Sequence, residues 1–285
     1  MRRFIKNWLS LRVFAMTLLA NSCYGVTIDI DTSQAPDLAN FGNMLKKVLI
    51  PWYPIVSAEL ASPNFTPTDK MTIIFDINYA GIAVTNLNEN KIVCSVKYYR
   101  RFQDDVGSLI HEMTHIIQNP NRNCPIWIIE GVADWFRYYK YEPSSRMPSK
   151  PQSTDSYMRG YGVTAYFLQY VIDNTPQMQA PYHMVYWVNK DCREGTYNDS
   201  IWPRLTGKTL SQLWQDMLTS PKPVPLDPGK YGCYLGYCWS WCYQRNSGHW
   251  CYTTKVQKND KGWVQCKSSS ECNENWQCAG ECYSK

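Results

Sequence analysis

The residues best suited to chemistry in this sequence form the pattern HEMTH at positions 111–115. Two histidines four positions apart on a helix lie on the same face, so the imidazoles of His111 and His115 can bind one metal ion. Glu112 lies beside them, where its carboxylate can take a proton from a water molecule at that ion. The pattern therefore predicts a catalytic zinc site on a helix.

A catalytic zinc ion needs a third protein ligand and an open fourth position. Glu130 is the natural candidate, because it opens a second helical stretch, Trp127 to Tyr139, only a short loop after the first. Asp134 follows one turn later and can orient a ligating histidine through a hydrogen bond. The predicted cofactor is one Zn2+ ion, and its expected ligands are His111, His115 and Glu130.

Two other interpretations of these residues stay open. In the first, the histidines are buried, hydrogen-bonded core residues, while Glu130 and Asp134 lie on a solvated face. The first helix is indeed apolar on one side, at Leu109, Ile110, Met113, Ile116 and Ile117. In the second, a zinc ion is kept for structure or binding, without turnover.

Residues 1–25 have the pattern of a secretory signal peptide. An apolar core, Val13 to Ala20, precedes a plausible cleavage site at residues 23–25. Its basic leader contains Arg2, Arg3, Lys6 and Arg12. The apolar run is too short to span a bilayer, and no later stretch is long enough. We therefore predict an exported, extracellular protein with no membrane span.

Most of the net charge belongs to this leader. The whole chain has 29 Lys and Arg against 24 Asp and Glu, which gives a formal charge of +5. Four of the basic residues and none of the acidic ones lie in residues 1–25, so 25 against 24 leaves +1. A nearly neutral mature chain argues against a nucleic-acid or membrane partner, and we expect a peptide or protein substrate.

Twelve cysteines in an exported chain favour disulfides over free thiols. Eight of them fall between Cys233 and Cys282, in a segment rich in tryptophan and poor in aliphatic residues. Cys23 leaves with the signal peptide, and three cysteines lie in the main body: Cys94, Cys124 and Cys192. One of these three must be free, paired to the tail or joined to another chain, and the sequence leaves that choice open.

Composition divides the mature chain into a main domain at 26–219, a proline-rich linker at 220–230 and a disulfide-stapled domain at 231–285. The tryptophans of the last segment either fill its small core or form a binding face for a glycan or a protein partner. Two sequons predict N-glycosylation, at Asn64 and Asn198.

Within the main domain, periodicity places strands first and helices after, which predicts an α+β fold with a small twisted sheet packed on the active-site helices. The predicted strands are Val26–Asp31, Met71–Ile77, Gly81–Thr85 and Lys91–Tyr99, the last two forming a hairpin. The first predicted helix is Asp37–Leu60, interrupted by a turn at Pro51 and Pro54. The helix with the metal ligands is predicted to be capped by Asp104 or Asp105 and to end at Asn119. The other predicted helices are Trp127–Tyr139, Tyr157–Asp173, Tyr182–Asn189 and Leu210–Leu218.

Three motifs in order resemble the plant basic secretory protein family: HEMTH at 111–115, IEGVADW at 129–135 and GYGVTAYFL at 160–168. The resemblance covers approximately residues 26–225 and leaves the cysteine-rich tail outside. It implies a secreted zincin-like fold and zinc peptidase activity, with His111, His115 and Glu130 as ligands and Glu112 as base. It also implies a link to defence or extracellular proteolysis. The loop at 119–127 departs from the Gly-rich, Trp-containing stretch of the plant proteins.

The spacing of Glu130 and Asp134 is also similar to the second helix of thermolysin-like zinc peptidases, the gluzincins. Residues 157–160 are similar to the Tyr-x-Lys-Gly stretch of zinc aminopeptidases, whose tyrosine hydroxyl stabilises the oxyanion. This resemblance makes Tyr157 a catalytic candidate. Tyr161, which lies in the motif shared with the secretory family, is the rival candidate, and both tyrosines can instead serve packing alone.

The sequence thus predicts a secreted zinc metallopeptidase that docks its substrate by strand addition at Gly81–Thr85. The chain has no Gly-x-Met-Glu-Asn-like stretch before the metal helix to anchor a substrate amine, which favours an endopeptidase over an aminopeptidase. The alternative is a catalytically inactive, zincin-like secreted binding or defence protein whose tail binds a partner or glycan. A structural or toxin-like protein with the tail as effector is a further alternative.

Overall fold

The computed structural model describes residues 25–63, 65–142, 146–175 and 182–220, together with shorter segments at 231–234, 237–241, 249–254, 271–272, 277–278 and 283–284. The chain divides into two compact units, the first ending at Thr219 and the second beginning at Ser220. None of the helices in these ranges combines the length and apolar character that crossing a membrane requires.

The first unit contains a four-stranded sheet in the order β1-β2-β4-β3. Its strands are β1 Thr27–Asp31, β2 Lys70–Asp76, β3 Ala83–Asn86 and β4 Lys91–Ser95. β1, β2 and β4 run parallel, while β3 is antiparallel to β4 and forms the predicted hairpin with it. In β2, alternate residues are buried, as expected for a strand with one face on the core: Met71, Ile73 and Phe75. The predicted α+β fold is confirmed.

Helix α1, Ala39–Leu60, connects β1 to β2 and contradicts the predicted turn, because it continues through Pro51 and Pro54. A proline inside a helix removes one backbone hydrogen bond and crowds the preceding turn. Here an apolar stripe at helical spacing is fully buried and holds the helix together: Leu45, Leu49, Tyr53, Val56 and Leu60. Tertiary packing therefore outweighs the local cost of the prolines.

The remaining helices are α2 Val96–Tyr99, α3 Gly107–Gln118, α4 Ile126–Trp135, α5 Tyr161–Asp173, α6 Met184–Glu194, α7 Ile201–Thr206 and α8 Leu210–Thr219. The predicted strand 91–99 was too long, because the Ser95 side chain accepts a hydrogen bond from the backbone of Tyr98 and starts α2. The short helix α7 was not predicted. The predicted helix Trp127–Tyr139 ends at Trp135 and continues as a π-helical segment, Phe136–Tyr141.

Helix α3, which carries the HEMTH pattern, is buried along its entire length. The predicted aspartate cap is wrong, since α3 begins after Val106 without a side-chain cap. Asp105 instead accepts hydrogen bonds from the Tyr98 hydroxyl and from Arg137, each at 2.7 Å. The predicted end is confirmed, because Asn119 takes the left-handed conformation with φ 43° and terminates the helix.

The helix predicted over 157–173 is also divided. Tyr157–Arg159 forms one turn of 3-10 helix, and Gly160, with φ 76° and ψ −164°, separates it from α5. Only glycine adopts this backbone region readily. The break matters for the site, because it redirects the chain immediately before Tyr161.

A disulfide between Cys124 and Cys192 joins the loop before α4 to α6. Cys94 is a buried free thiol. Burial, and secondarily the Glu112 carboxylate, raise the pKa of Cys94 well above its usual value, so it stays protonated. The odd cysteine of the main body is therefore the free one.

The second unit contains antiparallel strands that pair in the order β5-β6-β7-β8, with β9 also on β7. They are β5 Tyr231–Tyr234, β6 Tyr237–Trp241, β7 His249–Thr254, β8 Gln277–Cys278 and β9 Tyr283–Ser284. A disulfide links Cys238 to Cys272. The predicted disulfide-rich region is confirmed, while the pairing of its other cysteines stays a prediction. Residues 1–24 of the predicted signal peptide, most of the linker and Asn64 lie outside the described residues.

Candidate metal centre

Helices α3 and α4 bring the three predicted ligands together. The Nε2 atoms of His111 and His115 are 2.9 Å apart, and Glu130 Oε2 lies 3.1 Å from the first and 3.6 Å from the second. All three ligand atoms fall within 4.8 Å of one another. Both histidines are buried and Glu130 is partly buried. The geometry is that of a site that could hold one metal ion.

The other ring nitrogen of each histidine meets an oxygen. His111 Nδ1 lies 2.7 Å from Asp134 Oδ1, and His115 Nδ1 lies 2.8 Å from Gln118 Oε1. The Gln118 amide nitrogen donates to the carbonyl of Ile129 at 3.2 Å, which fixes the amide oxygen toward His115. Both Nδ1 atoms therefore carry a proton, and the neutral form of each imidazole turns its Nε2 lone pair toward the centre.

These residues fit a divalent metal such as zinc. Two imidazole nitrogens and a carboxylate oxygen converge, and these atoms repel one another unless a proton or a metal cation lies between them. Burial lowers the pKa of His111, but hydrogen bonds with Asp134 and Glu130 outweigh it and raise the pKa to about 9. Burial raises the pKa of Glu130, but hydrogen bonds with both histidines lower it to about 2. An environment that favours a proton this strongly also favours a metal cation, and the two-nitrogen, one-oxygen donor set suits zinc.

Glu112 follows His111 on α3, is buried, and contacts the sheet through Thr85. The Thr85 hydroxyl, on strand β3, lies 2.7 Å from Glu112 Oε2 and 2.9 Å from the Glu112 backbone oxygen. One hydroxyl proton serves one of these acceptors at a time. Thr85 thus connects the edge strand to the carboxylate predicted to act as base.

The two candidate tyrosines lie in different surroundings. The ring of Tyr161 stacks on that of His111, with centroids 6.1 Å apart and planes 10° from parallel. Tyr161 is 56% exposed and has a positive φ of 47°, which is strained for a bulky residue and recurs at functional sites. Tyr157 packs instead on Trp127 and Trp214, with centroids at 5.1 and 5.9 Å. The structure therefore brings Tyr161, and not Tyr157, to the metal centre.

Gly131 explains how α4 can lie so close to α5. A Cβ at this position would come within 2.2 Å of the Thr164 methyl carbon, so any side chain would separate the helices. The Thr164 hydroxyl donates to the backbone oxygen of Tyr157 at 2.6 Å and fixes the turn that precedes Tyr161. Gly131 follows Glu130 directly, so this close contact with α5 lies next to one of the predicted metal ligands.

Sequence reasoning missed two polar residues at the site, Gln118 and Thr85. Gln118 follows His115 by three positions, on the same face of α3, so helical spacing alone could have identified it. Thr85 is brought in from a strand by the hairpin, and no local pattern indicates that contact. Asn198, the predicted glycosylation site that the structure describes, is exposed on the surface.

Comparison with known proteins identifies the family of the chain. A family model described as "BSP: Peptidase of plants and bacteria" matches residues 43–217. The chain is also similar to Allergen Tha p 2 of Thaumetopoea pityocampa, with 40% identity in an alignment of 57 residues that covers 18% of this chain and 50% of that protein. The chain thus spans about half the length of this relative. No solved structure matches the chain significantly. Because the family model covers more than half of the chain, including the whole metal centre, the chain belongs to the BSP family of plant and bacterial peptidases.

Proposed function

We propose that the protein is a secreted zinc metallopeptidase that hydrolyses peptide bonds with Glu112 as general base. The observation that supports this most strongly is the convergence of His111, His115 and Glu130, with Glu112 next to His111 in the chain, in a member of a peptidase family. Asp134 and Gln118 would hold the two imidazoles in the tautomer that leaves Nε2 free for the metal.

A zinc ion with three protein ligands lowers the pKa of a water molecule and polarises a carbonyl group. Glu112 would accept the proton of the attacking water and pass it to the leaving amine. Thr85 would keep one carboxylate oxygen of Glu112 in place by donating its hydroxyl proton. Tyr161 would donate a hydrogen bond to the oxygen that becomes negative in the transition state.

Strand β3 is the proposed docking edge for the substrate. It pairs with β4 on one side and ends the sheet on the other, among the described residues. It also contains Thr85, so a peptide added to β3 would lie next to Glu112. Strand addition aligns the middle of an extended chain as readily as its end, which supports an endopeptidase.

Export of the protein is part of the proposal. The pattern of residues 1–25 supports a signal peptide, and the disulfides Cys124–Cys192 and Cys238–Cys272 suit an oxidising compartment. Glycosylation at Asn64 and Asn198 belongs to the same proposal. We also propose that the second unit binds a glycan or a protein partner, because it is a separate compact unit rich in tryptophan.

Metal removal and replacement test the zinc assignment. The mature protein stripped with a chelator should lose peptide hydrolysis and regain it with one equivalent of zinc. His111→Ala should neither bind zinc nor recover, while a Lys97→Ala control, at an exposed position on α2, should behave as wild type. Hydrolysis by the metal-free protein, or zinc at full occupancy in His111→Ala, would contradict the proposal.

A further inference from the structure

A cavity of about 480 Å³ opens at the first turn of α4. This volume falls within the range of roughly 300–1,000 Å³ that is typical of sites for small ligands. Its lining is mostly apolar and aromatic, and includes Ile126, Trp127, Tyr157, Met158 and Leu210. Ile126 and Met158 are 73% and 64% exposed, so two large apolar side chains face solvent at its rim. Trp127 is buried.

Helix α4 carries residues of both the cavity and the metal centre. Ile126 and Trp127 precede Glu130 by four and three residues, so each of them lies one helical turn from Glu130. At 1.5 Å of rise per residue, the cavity begins about 4.5–6 Å along the helix axis from the proposed metal ligand.

A second connection runs through the turn before α5. Tyr157 and Met158 line the cavity, and the ring of Tyr161 stacks on that of His111. Between them, Gly160 lies against α4, since a Cβ there would be 3.4 Å from the Cβ of Glu130. One short segment therefore forms a wall of the cavity and a wall of the metal centre.

The wall of the cavity is held in place before any ligand arrives. The ring of Tyr157 packs on Trp127 and Trp214, with centroids at 5.1 and 5.9 Å. The backbone oxygen of Tyr157 accepts a hydrogen bond from the buried Thr164 hydroxyl at 2.6 Å. A preformed apolar cavity binds an apolar group without the cost of ordering its own walls.

We propose that this cavity is the specificity pocket of the enzyme and takes a bulky apolar or aromatic side chain of the substrate. An extended peptide advances about 3.3 Å per residue, so the side chain that enters lies within about two residues of the scissile bond. Asp199 also lines the cavity, and its negative charge disfavours an acidic side chain there. This inference rests on the proposed peptidase function and names its substrate class.

The test compares peptides that differ at one position. The varied position lies within two residues of the scissile bond. The zinc-loaded wild-type protein should cleave peptides with Phe or Leu at this position with a kcat/KM about 10–200-fold higher than that for peptides with Ala there. Met158→Glu places a charge at the rim and should reduce this preference about tenfold or more, while cleavage of the Ala peptide changes little. The control is Ile55→Glu, the same apolar-to-acidic change on α1 at a residue that is 45% exposed, and it should leave the preference unchanged.

Binding gives a second readout that needs no turnover. Calorimetry with the zinc-loaded Glu112→Gln variant should show tighter binding of the Phe peptide than of the Ala peptide, and Met158→Glu added to that variant should remove the difference. Equal cleavage of Phe, Ala and Glu peptides at every position within two residues of the cut, or an unchanged preference in Met158→Glu, would overturn the proposal. If the wild-type protein cleaves nothing, the peptidase proposal fails, and the binding comparison decides whether the cavity accepts an apolar peptide side chain.

Discussion

Replacing Asp134 by alanine tests the role of the residues that hold the metal ligands. Asp134 is 4% exposed, and its Oδ1 lies 2.7 Å from His111 Nδ1, a short distance typical of a charge-assisted hydrogen bond. In Asp134→Ala the Nδ1–H of His111 stays buried without an acceptor, which costs about 1–3 kcal/mol. The tautomer and the ring orientation are also no longer fixed.

The expected loss of zinc affinity is about 10–100-fold, which corresponds to roughly 1.4–2.7 kcal/mol. Asp134→Asn keeps an acceptor oxygen without the charge, so its loss should be smaller. Gln118→Leu removes the neutral acceptor of His115, and its effect should lie near the lower end of the range, because neutral hydrogen bonds are roughly half as strong as charged ones.

The assay is competition for zinc against a chelator of known affinity, with circular dichroism to confirm that each variant is folded. Asp134→Ala should have the lowest zinc affinity, followed by Gln118→Leu and then by Asp134→Asn. A folded Asp134→Ala protein with the affinity of the wild type would refute the assigned role. If that variant does not fold, Asp134→Asn still decides, because an unchanged affinity would show that the charge on the partner of His111 is irrelevant.

Three further predictions concern catalysis and stability. Tyr161→Phe should lower kcat by roughly 10²–10³-fold with zinc still bound, whereas Tyr157→Phe should change kcat little; a reversed order would move the oxyanion role to Tyr157. Gly131→Ala places a Cβ 2.2 Å from a side chain of α5, so it should lower the free energy of unfolding by about 1–3 kcal/mol and weaken zinc binding. An unchanged melting temperature would contradict the close packing. Replacing Cys124 and Cys192 together by alanine opens a loop with a separation of 68 residues and should cost about 4 kcal/mol of stability, measured by denaturant unfolding; no loss would show that the bond is unimportant.

Local patterns were sufficient to predict the elements that carry the metal ligands. The i, i+4 spacing of His111 and His115 fixes their common face on any helix, and the end of α3 follows from Asn119 and the proline after it. The compact apolar run at Met71–Ile77 predicted β2, and the Asn-rich turn at 86–90 predicted the hairpin of β3 and β4. These features depend on residues close together in the sequence, which is why they could be predicted.

The features that sequence reasoning missed depend on distant residues. Pro51 looks like a helix breaker until the buried stripe of α1 is known. The contact between Thr85 and Glu112 joins residues 27 positions apart, and no periodicity reports it. The choice between the two tyrosines depends on the backbone of Gly160, whose φ of 76° turns Tyr161 toward His111.

The central claim is that Glu112 activates water at a zinc ion held by its neighbours, and the most direct test is a comparison of the wild type with Glu112→Gln on a mixed peptide library. Both proteins are prepared with matched zinc content and identical circular dichroism. The wild type should cut within peptides, and all of these cuts should be lost in Glu112→Gln although zinc remains bound. Equal cleavage by the two proteins, or none by a folded, zinc-loaded wild type, would contradict this claim.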